Sequence, residues 1–368
     1  MNTESFASLG LRPALLTNLA SLEYVAMTPI QARSLPPMLA GRDVIGQGKT
    51  GSGKTAAFGL GLLHTLTEKH YAVQALVLCP TRELADQVAK ELRRLARGID
   101  NVKILTLCGG TPIGPQIGSL AHGAHIIVGT PGRVEEHLRK ETLKLANLRT
   151  LVLDEADRMM DMGFQPALDA ILEYVPAQRQ TLLFSATFPP GIAAIAKRVM
   201  QAPEHVQVES THDSSTIAQI FHLVEDSERI TALRLLLLEQ RPDSAVVFCN
   251  TREDCAKVAA ALSREGFSVA PLHGDLEQRE RDHTLIQFAN KSLSVLVATD
   301  VAARGLDIDA LDAVINFHIP RDLDVYIHRI GRTGRAGSRG VACTLFSEQE
   351  RHKLARLEGI LDDTIYPA

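Results

Sequence analysis

The 368-residue sequence predicts an α/β protein of two tandem domains, each a mostly parallel sheet with helices on both faces. Three observations predict it. Short continuous apolar runs alternate with amphipathic segments in both halves, and runs without polar alternation suit strands buried on both faces. The chain is too long for one compact core. A polar stretch rich in Ser and Thr, residues 209–216, separates the halves. The domains are therefore expected at 1–208 and 217–368, with 209–216 as linker.

In the first half, 43–45 reads as a short strand, followed by a glycine-rich turn and an apolar helix opening at 56–60. Further strand-like runs lie at 75–78, 125–128, 151–153 and 181–184, with amphipathic helices at 82–97 and 166–174. In the second half the runs are 245–248, 268–272, 295–298, 313–317 and 341–346, with helices at 252–265 and 278–288. Alternating strand and helix with short connections implies parallel pairing.

The hydrophobic fraction of 45% and charged fraction of 22% are ordinary for a globular protein. A net charge of −4 argues against coating nucleic acid by bulk charge, but not against a local backbone-binding groove. No apolar run is long enough to span a bilayer, and the first residues lack a basic-then-apolar signal, so a cytoplasmic enzyme is expected. The five cysteines are odd in number and match no metal knuckle, which implies reduced thiols. Cys79 and Cys249 end apolar runs and read as small core residues.

Gly48-Lys49-Thr50-Gly51-Ser52-Gly53-Lys54-Thr55 follows a strand and opens a helix. That context turns G-x-x-x-x-G-K-[ST] from a pattern into a phosphate site. Glycines let successive N–H groups curl into one cradle at a helix N-terminus, which favours anions. Lys54 is then placed for the β- and γ-phosphates and the Thr55 hydroxyl for Mg²⁺. A flexible Gly/Ser loop is the plainer alternative. Against it stands a second element, where the run 151–153 ends in Asp154-Glu155-Ala156-Asp157. Asp154 suits Mg²⁺ held through water, and Glu155 suits orienting or deprotonating an attacking water. Either acid alone would read as a helix cap. Together with the loop they imply an NTPase.

Asp154-Glu155-Ala156-Asp157 is the signature of the DEAD-box RNA helicases, and the chain resembles that family over nearly its whole length. The family's motifs recur in order: Thr28-Pro29-Ile30-Gln31, the Lys54 loop, Pro80-Thr81-Arg82-Glu83-Leu84, Gly109-Gly110 and Thr130-Pro131-Gly132-Arg133. After the acidic signature come Ser185-Ala186-Thr187, Val247-Phe248-Cys249-Asn250-Thr251, Gln278 with Arg281, the segment from Ala298-Thr299 to Asp307, and the segment from His328 to Arg335. Within the family the chain is most similar to the bacterial DbpA subgroup, which acts on ribosomal RNA.

The resemblance implies two RecA-like domains, ATP and Mg²⁺ as ligands, RNA as substrate and a monomeric enzyme. It implies arginine fingers at Arg332 and Arg335, nucleotide contacts at Gly305 and Asp307, and interdomain links at Arg304 and His328. Gln31 carries an amide able to pair with the N6/N7 edge of adenine, and Phe6 lies far enough upstream to fold back and stack on the base. Alone, Gln31 would read as a surface helix residue and Phe6 as a core anchor; the resemblance implies adenine ligands and ATP over GTP. Thr81, Arg82, Gly110, Thr130 and Arg133 in the first half match family positions lining the RNA groove, as do Thr251, Gln278, Arg281 and Thr299 in the second. Hydroxyls, glycine N–H groups and single arginines suit phosphate and ribose contacts without a base code. Thr81 and Thr130 would equally serve as helix caps. Ser185 and Thr187 are expected to hydrogen-bond Asp157, where a turn role competes.

Gly46 and Gly48 stand where family members commonly have alanine or another small residue, and added flexibility at the loop is expected to weaken nucleotide affinity. The DbpA subgroup also carries a C-terminal RNA-binding module. This sequence stops at Ala368 without one, so either it is a truncated chain or it finds its RNA another way. Two alternatives remain at this stage: a DNA helicase or translocase of the same superfamily, and a slow ATP-gated RNA clamp.

Overall fold

The computed structural model describes residues 5–48, 51–208, 217–303, 311–334, 340–361 and 365. The chain divides into two compact units, Met1–Ser210 and Thr211–Ala368. The expected linker lies outside the described residues.

The first unit holds seven parallel strands: β1 (Val44–Gln47), β2 (Ala75–Leu78), β3 (Ile104–Leu107), β4 (Ile126–Gly129), β5 (Thr150–Asp154), β6 (Gln180–Ser185) and β7 (Glu204–Gln207). Their order is β3-β4-β2-β5-β6-β1-β7. Successive strand side chains point to opposite faces, and here both faces are covered. Ala75 and Val77 of β2 join one buried cluster, with Leu60, Leu63 and Leu92 from flanking helices. Leu76 and Leu78 join the other, with Val134, Leu138 and Ile195. That is why the central strands read as unbroken apolar runs.

The second unit repeats the plan with β8 (Ile217–Leu223), β9 (Ala245–Cys249), β10 (Val269–Leu272), β11 (Val295–Thr299), β12 (Ala313–Asn316) and β13 (Gly340–Phe346), again all parallel, in the order β10-β11-β9-β12-β13-β8. Ala245 and Val247 face one cluster, and Val246 and Phe248 the other. No helix among the described residues is long and apolar enough to cross a membrane. All five cysteines are buried and free.

Register decides what the strand ends carry. Gln47 of β1 pairs with Ser185 of β6, and Phe184 pairs with Asp154 of β5. The phosphate loop, Ser185 and the acidic signature therefore emerge side by side at the carboxyl ends of three neighbouring strands, where open α/β sheets bind ligands.

Gly46 sits inside β1, paired on both sides. A Cβ there would lie 2.4 Å from Phe184 Cε1. The Phe184 ring is fully buried and packs on Phe58 at 5.4 Å between centroids. Gly46 answers a packing demand inside the sheet. Gly46→Ala should therefore destabilise the protein by about 1–3 kcal/mol through overpacking. Phe184→Leu in the same chain should recover at least ~1 kcal/mol of the sum of the single losses. Thermal or urea unfolding of the two single variants and the double variant measures this; strict additivity would refute the steric account.

Candidate active site and nucleic-acid interface

Lys54 begins the helix Lys54–Thr65, directly after the glycine turn. Gly51 and Gly53 have φ of 78° and 94°, the left-handed region open to glycine. A Cβ on Gly53 would lie 2.5 Å from Gln31 Nε2, so the glycine also lets the helix Pro29–Leu39 approach the loop. Lys54 is buried, and its Nζ donates to Gly48 O at 2.5 Å. Burial lowers the pKa of its ammonium; the charges of Asp154, Glu155 and Asp157 oppose that shift. Ser52 Oγ is buried without a hydrogen-bond partner among the described residues. A cradle of glycines with a buried ammonium and an orphaned hydroxyl suits an anion. Lys49 and Thr50 lie outside the described residues.

The carboxylates stand at the end of β5. Burial, then the neighbouring Glu155, push the Asp154 pKa up to about 7, against the pull of Lys54. Glu155 has φ 51° and ψ 51°, and its N–H donates to Asp154 Oδ1 at 3.1 Å. Its Oε2 accepts from Arg158 Nη1 at 2.7 Å. Asp157 is treated differently. Burial raises its pKa, but hydrogen bonds from Thr187 and Ser185 outweigh that and hold it below the usual carboxylate range. Thr187 donates twice to Asp157 Oδ2, from N–H at 2.9 Å and from Oγ1 at 2.8 Å, and the Asp157 N–H donates to Ser185 Oγ at 3.3 Å. Thr55 follows Lys54 in the first helical turn and is partly exposed.

Gln31 is 2% exposed, and both ends of its amide are engaged. Oε1 accepts from the Thr28 N–H at 2.9 Å, and Nε2 donates to Gly53 O at 3.2 Å. The amide expected to meet adenine thus ties the helix start to the phosphate loop. Phe6 is 3% exposed and edge-on to Tyr24 at 6.1 Å. Its ring belongs to the core of the first unit, the role it would be given without the resemblance.

The expected RNA-facing residues of the first unit also follow strand ends. Thr81 caps the helix Arg82–Leu95, accepting from the Leu84 N–H at 3.2 Å, and Arg82 lies 3.7 Å from Asp86. Thr130 follows β4, and its Oγ1 accepts from the Gly109 N–H at 3.4 Å; Gly110 has φ 77°. Arg133 is committed internally, to Thr111 O at 2.7 Å, Gln116 Oε1 at 3.1 Å and Glu136 Oε2 at 3.1 Å. Gln116 also donates to Cys108 O at 3.0 Å. Sequence reasoning missed Gln116, which ties the Gly109–Gly110 turn to Arg133.

In the second unit Thr251 follows β9 and caps the helix Arg252–Arg264, accepting from the Asp254 N–H at 3.1 Å. Thr299 is buried at the end of the neighbouring β11, paired with Cys249. Gln278 donates to Asp282 Oδ1 at 2.9 Å, and Arg281, one turn on, reaches Ala302 O at 3.5 Å. Thr251, Thr299 and Arg281 are therefore gathered at one end of this sheet. The hub there is Arg329, which sequence reasoning also missed. It is 1% exposed, grips Asp300 through Nε at 2.6 Å and Nη2 at 2.7 Å, and reaches Asn250 Oδ1 and Asn316 Oδ1, each at 3.1 Å. Its guanidinium also stacks 5.1 Å from the Phe248 ring centroid. An arginine among Tyr326, Ile327 and Ile330 was the available signal. His328 lies in the same helix, Asp324–Ile330, and Arg332 is buried just beyond it. Arg304, Gly305, Asp307 and Arg335 lie outside the described residues.

Comparison with known proteins gives the family. The DEAD/DEAH box helicase family profile matches residues 28–195, and the helicase conserved C-terminal domain profile matches 228–337. The ATP-dependent RNA helicase DbpA of Escherichia coli (strain K12) is 56% identical over 350 residues, 95% of this chain and 77% of that protein. The DEAD-box ATP-dependent RNA helicase CshA of Geobacillus kaustophilus is 45% identical over 355 residues, 96% of this chain and 76% of that one. Among solved structures, S. cerevisiae Dbp5 bound to RNA and ADP BeF3 superposes with a TM-score of 0.89 at 29% identity, covering 99% of this chain and 95% of that one. Two parallel sheets flanked by helices are thus RecA-like domains, and the chain belongs to the DEAD-box ATP-dependent RNA helicases.

Proposed function

We propose that this protein is an RNA-stimulated ATPase that separates RNA duplexes locally, acting as a cytoplasmic monomer on ribosomal RNA or pre-ribosomal particles. One observation carries the ATPase reading: a buried ammonium, an adjacent carboxylate pair and a glycine cradle share the ends of three neighbouring strands. The ribosomal target rests on the likeness to the DbpA subgroup.

The donor set fits Mg²⁺. Asp154, buried beside Glu155 and with its pKa pushed up to about 7, is short of positive charge. Asp154, partly through water, and Thr55 would hold the ion, which when bound neutralises charge on the β- and γ-phosphates. The chain's own residues do the rest. Lys54 exchanges Gly48 O for phosphate oxygens, Gly51, Ser52 and Gly53 supply the cradle, and Glu155 orients the attacking water. Asp157, clasped by Ser185 and Thr187, links the acidic signature to β6, with Arg304 and His328 as its counterparts in the second unit. Arg332 and Arg335 stabilise charge in the transition state, and Gly305 and Asp307 complete the nucleotide contacts. Thr81, Arg82, Gly110, Thr130 and Arg133, with Thr251, Gln278, Arg281 and Thr299, contact sugar and phosphate, so RNA is bound without sequence preference by these units.

Lys54→Ala should abolish hydrolysis, whereas Glu155→Gln should keep ATP binding and lower turnover by at least ~100-fold. Nucleotide binding and turnover measured on both variants separate these roles; near-normal turnover in a folded Lys54→Ala protein would overturn the assignment.

Arg335→Ala should leave ATP affinity without RNA nearly unchanged and strongly reduce RNA-stimulated turnover, because the lost contact belongs to the reactive state. A titration of ATPase rate with matched RNA and DNA oligonucleotides tests this together with the substrate class. Equal stimulation by both would point to a translocase without RNA preference.

Asp154 also sets a pH dependence of ligand-free stability. Its folded pKa of about 7 lies above the unfolded carboxylate value of roughly 3.9. The folded state therefore holds the proton more tightly, and that contribution, full below the unfolded value, is lost as pH rises through 7. Asp154→Asn should raise ligand-free stability by roughly 1–4 kcal/mol at pH 8, with the gain shrinking toward pH 5. Thermal melts of both proteins across that range would contradict the account if the difference were flat with pH.

A further inference from the structure

Glu155 carries its carboxylate on a left-handed backbone, an uncommon state for a residue with a side chain. Only one of its two oxygens is committed. Oε2 accepts from Arg158 Nη1 at 2.7 Å, while Oε1 has no hydrogen-bond partner among the described residues. Both side chains are buried, at 8% and 11% exposure. The Arg158 N–H is itself fixed, donating to Asp157 Oδ1 at 3.0 Å. The other charged groups around this pair are Lys54, Asp154 and Asp157. Asp157 is satisfied by Thr187 and Ser185, so Arg158 is the cation paired with Glu155.

We infer that Arg158 is a positioning residue for hydrolysis: by occupying Oε2 it fixes the Glu155 carboxylate in one pose and leaves Oε1 to orient the attacking water. This rests on the assignment of Glu155 as the water-orienting group. The plainer role, an i,i+3 ion pair stabilising the short helix Ala156–Asp161, makes different predictions. Such a pair would act on stability whatever residue 155 does for the reaction. A positioning arginine acts only through the Glu155 carboxylate.

The test uses the full chain at saturating RNA, with single-turnover measurements for slow variants and thermal melts for each. Arg158→Met should lower kcat by about 10- to 100-fold, the scale of a misplaced catalytic group, with KM for ATP changed by less than ~3-fold. Arg158→Gln keeps a polar end at the buried position but loses the reach, and should fall likewise. Arg158→Lys retains one donor and the charge, enough for a contact made through a single nitrogen, and should recover most of the rate. In a Glu155→Gln background, Arg158→Met should change kcat by less than ~2-fold, because the group it positions is gone. Equal losses in both backgrounds, or unchanged kcat in folded Arg158→Met and Arg158→Gln, would overturn the inference. Normal turnover in Glu155→Gln alone would instead overturn the role of Glu155 itself, so the two failures are told apart.

Discussion

One buried ammonium set against three neighbouring carboxylates is the imbalance around which the first unit is organised. Lys54 feels Asp154, Glu155 and Asp157 together. The surrounding structure answers two of the three acids. Asp157 receives three donated hydrogen bonds, two from Thr187 and one from the Arg158 N–H, and Glu155 receives the Arg158 guanidinium. Asp154 is left with the Glu155 N–H and a share of Lys54, and its pKa climbs to about 7. Burying charge without full compensation is costly. The cost here sits on the residue that suits a divalent cation, beside a loop that suits an anion.

The second unit shows the opposite arrangement on the same plan. Arg329 is nearly inaccessible, yet its nitrogens meet Asp300, Asn250, Asn316 and the His318 carbonyl, and its plane rests on Phe248. Its charge is answered within the unit. Such a closed network rigidifies what it touches, and it touches the ends of β9, β11 and β12, where Thr251 and Thr299 lie. One architecture thus carries an under-compensated carboxylate at one sheet's carboxyl end and a fully paired arginine at the other's. At the first end Asp154 is incompletely compensated; at the second, Arg329 braces the strand ends near Thr251 and Thr299.

The sequence disclosed the central strands because both of their faces are buried, leaving uninterrupted apolar runs. It did not disclose β3, β7 and β8, and all three are edge strands. Glu-His-Val-Gln of β7 pairs on one side only and is half in solvent, so it lacks the apolar pattern. A helix was legible at Gln31, but the extent of Pro29–Leu39 was hidden, since Pro36 and Pro37 within it read as breakers. At the site, the glycine loop and the acidic signature were legible because each works through residues adjacent in the chain. Gln116 and Arg329 were not, because their meaning lies in partners far away in sequence: Arg133 for the first, Asp300 and Asn250 for the second. Phe6 and Gln31 show the limit from the other side. Motif position named them as adenine ligands, while packing gives Phe6 to the core and engages both ends of the Gln31 amide.

That engagement of Gln31 has its own logic. Here Gln31 is already fixed by the Thr28 N–H and by Gly53 O, and Gly53 lacks a side chain at the point where the amide approaches. The helix start and the phosphate loop are therefore one mechanical piece, joined by a side chain that touches both. The same economy recurs at Asp157, whose clasp by Thr187 ties the acidic signature to the segment after β6. In the first unit the helix start is thus joined to the phosphate loop through Gln31, and the acidic signature to the Thr187 segment through Asp157.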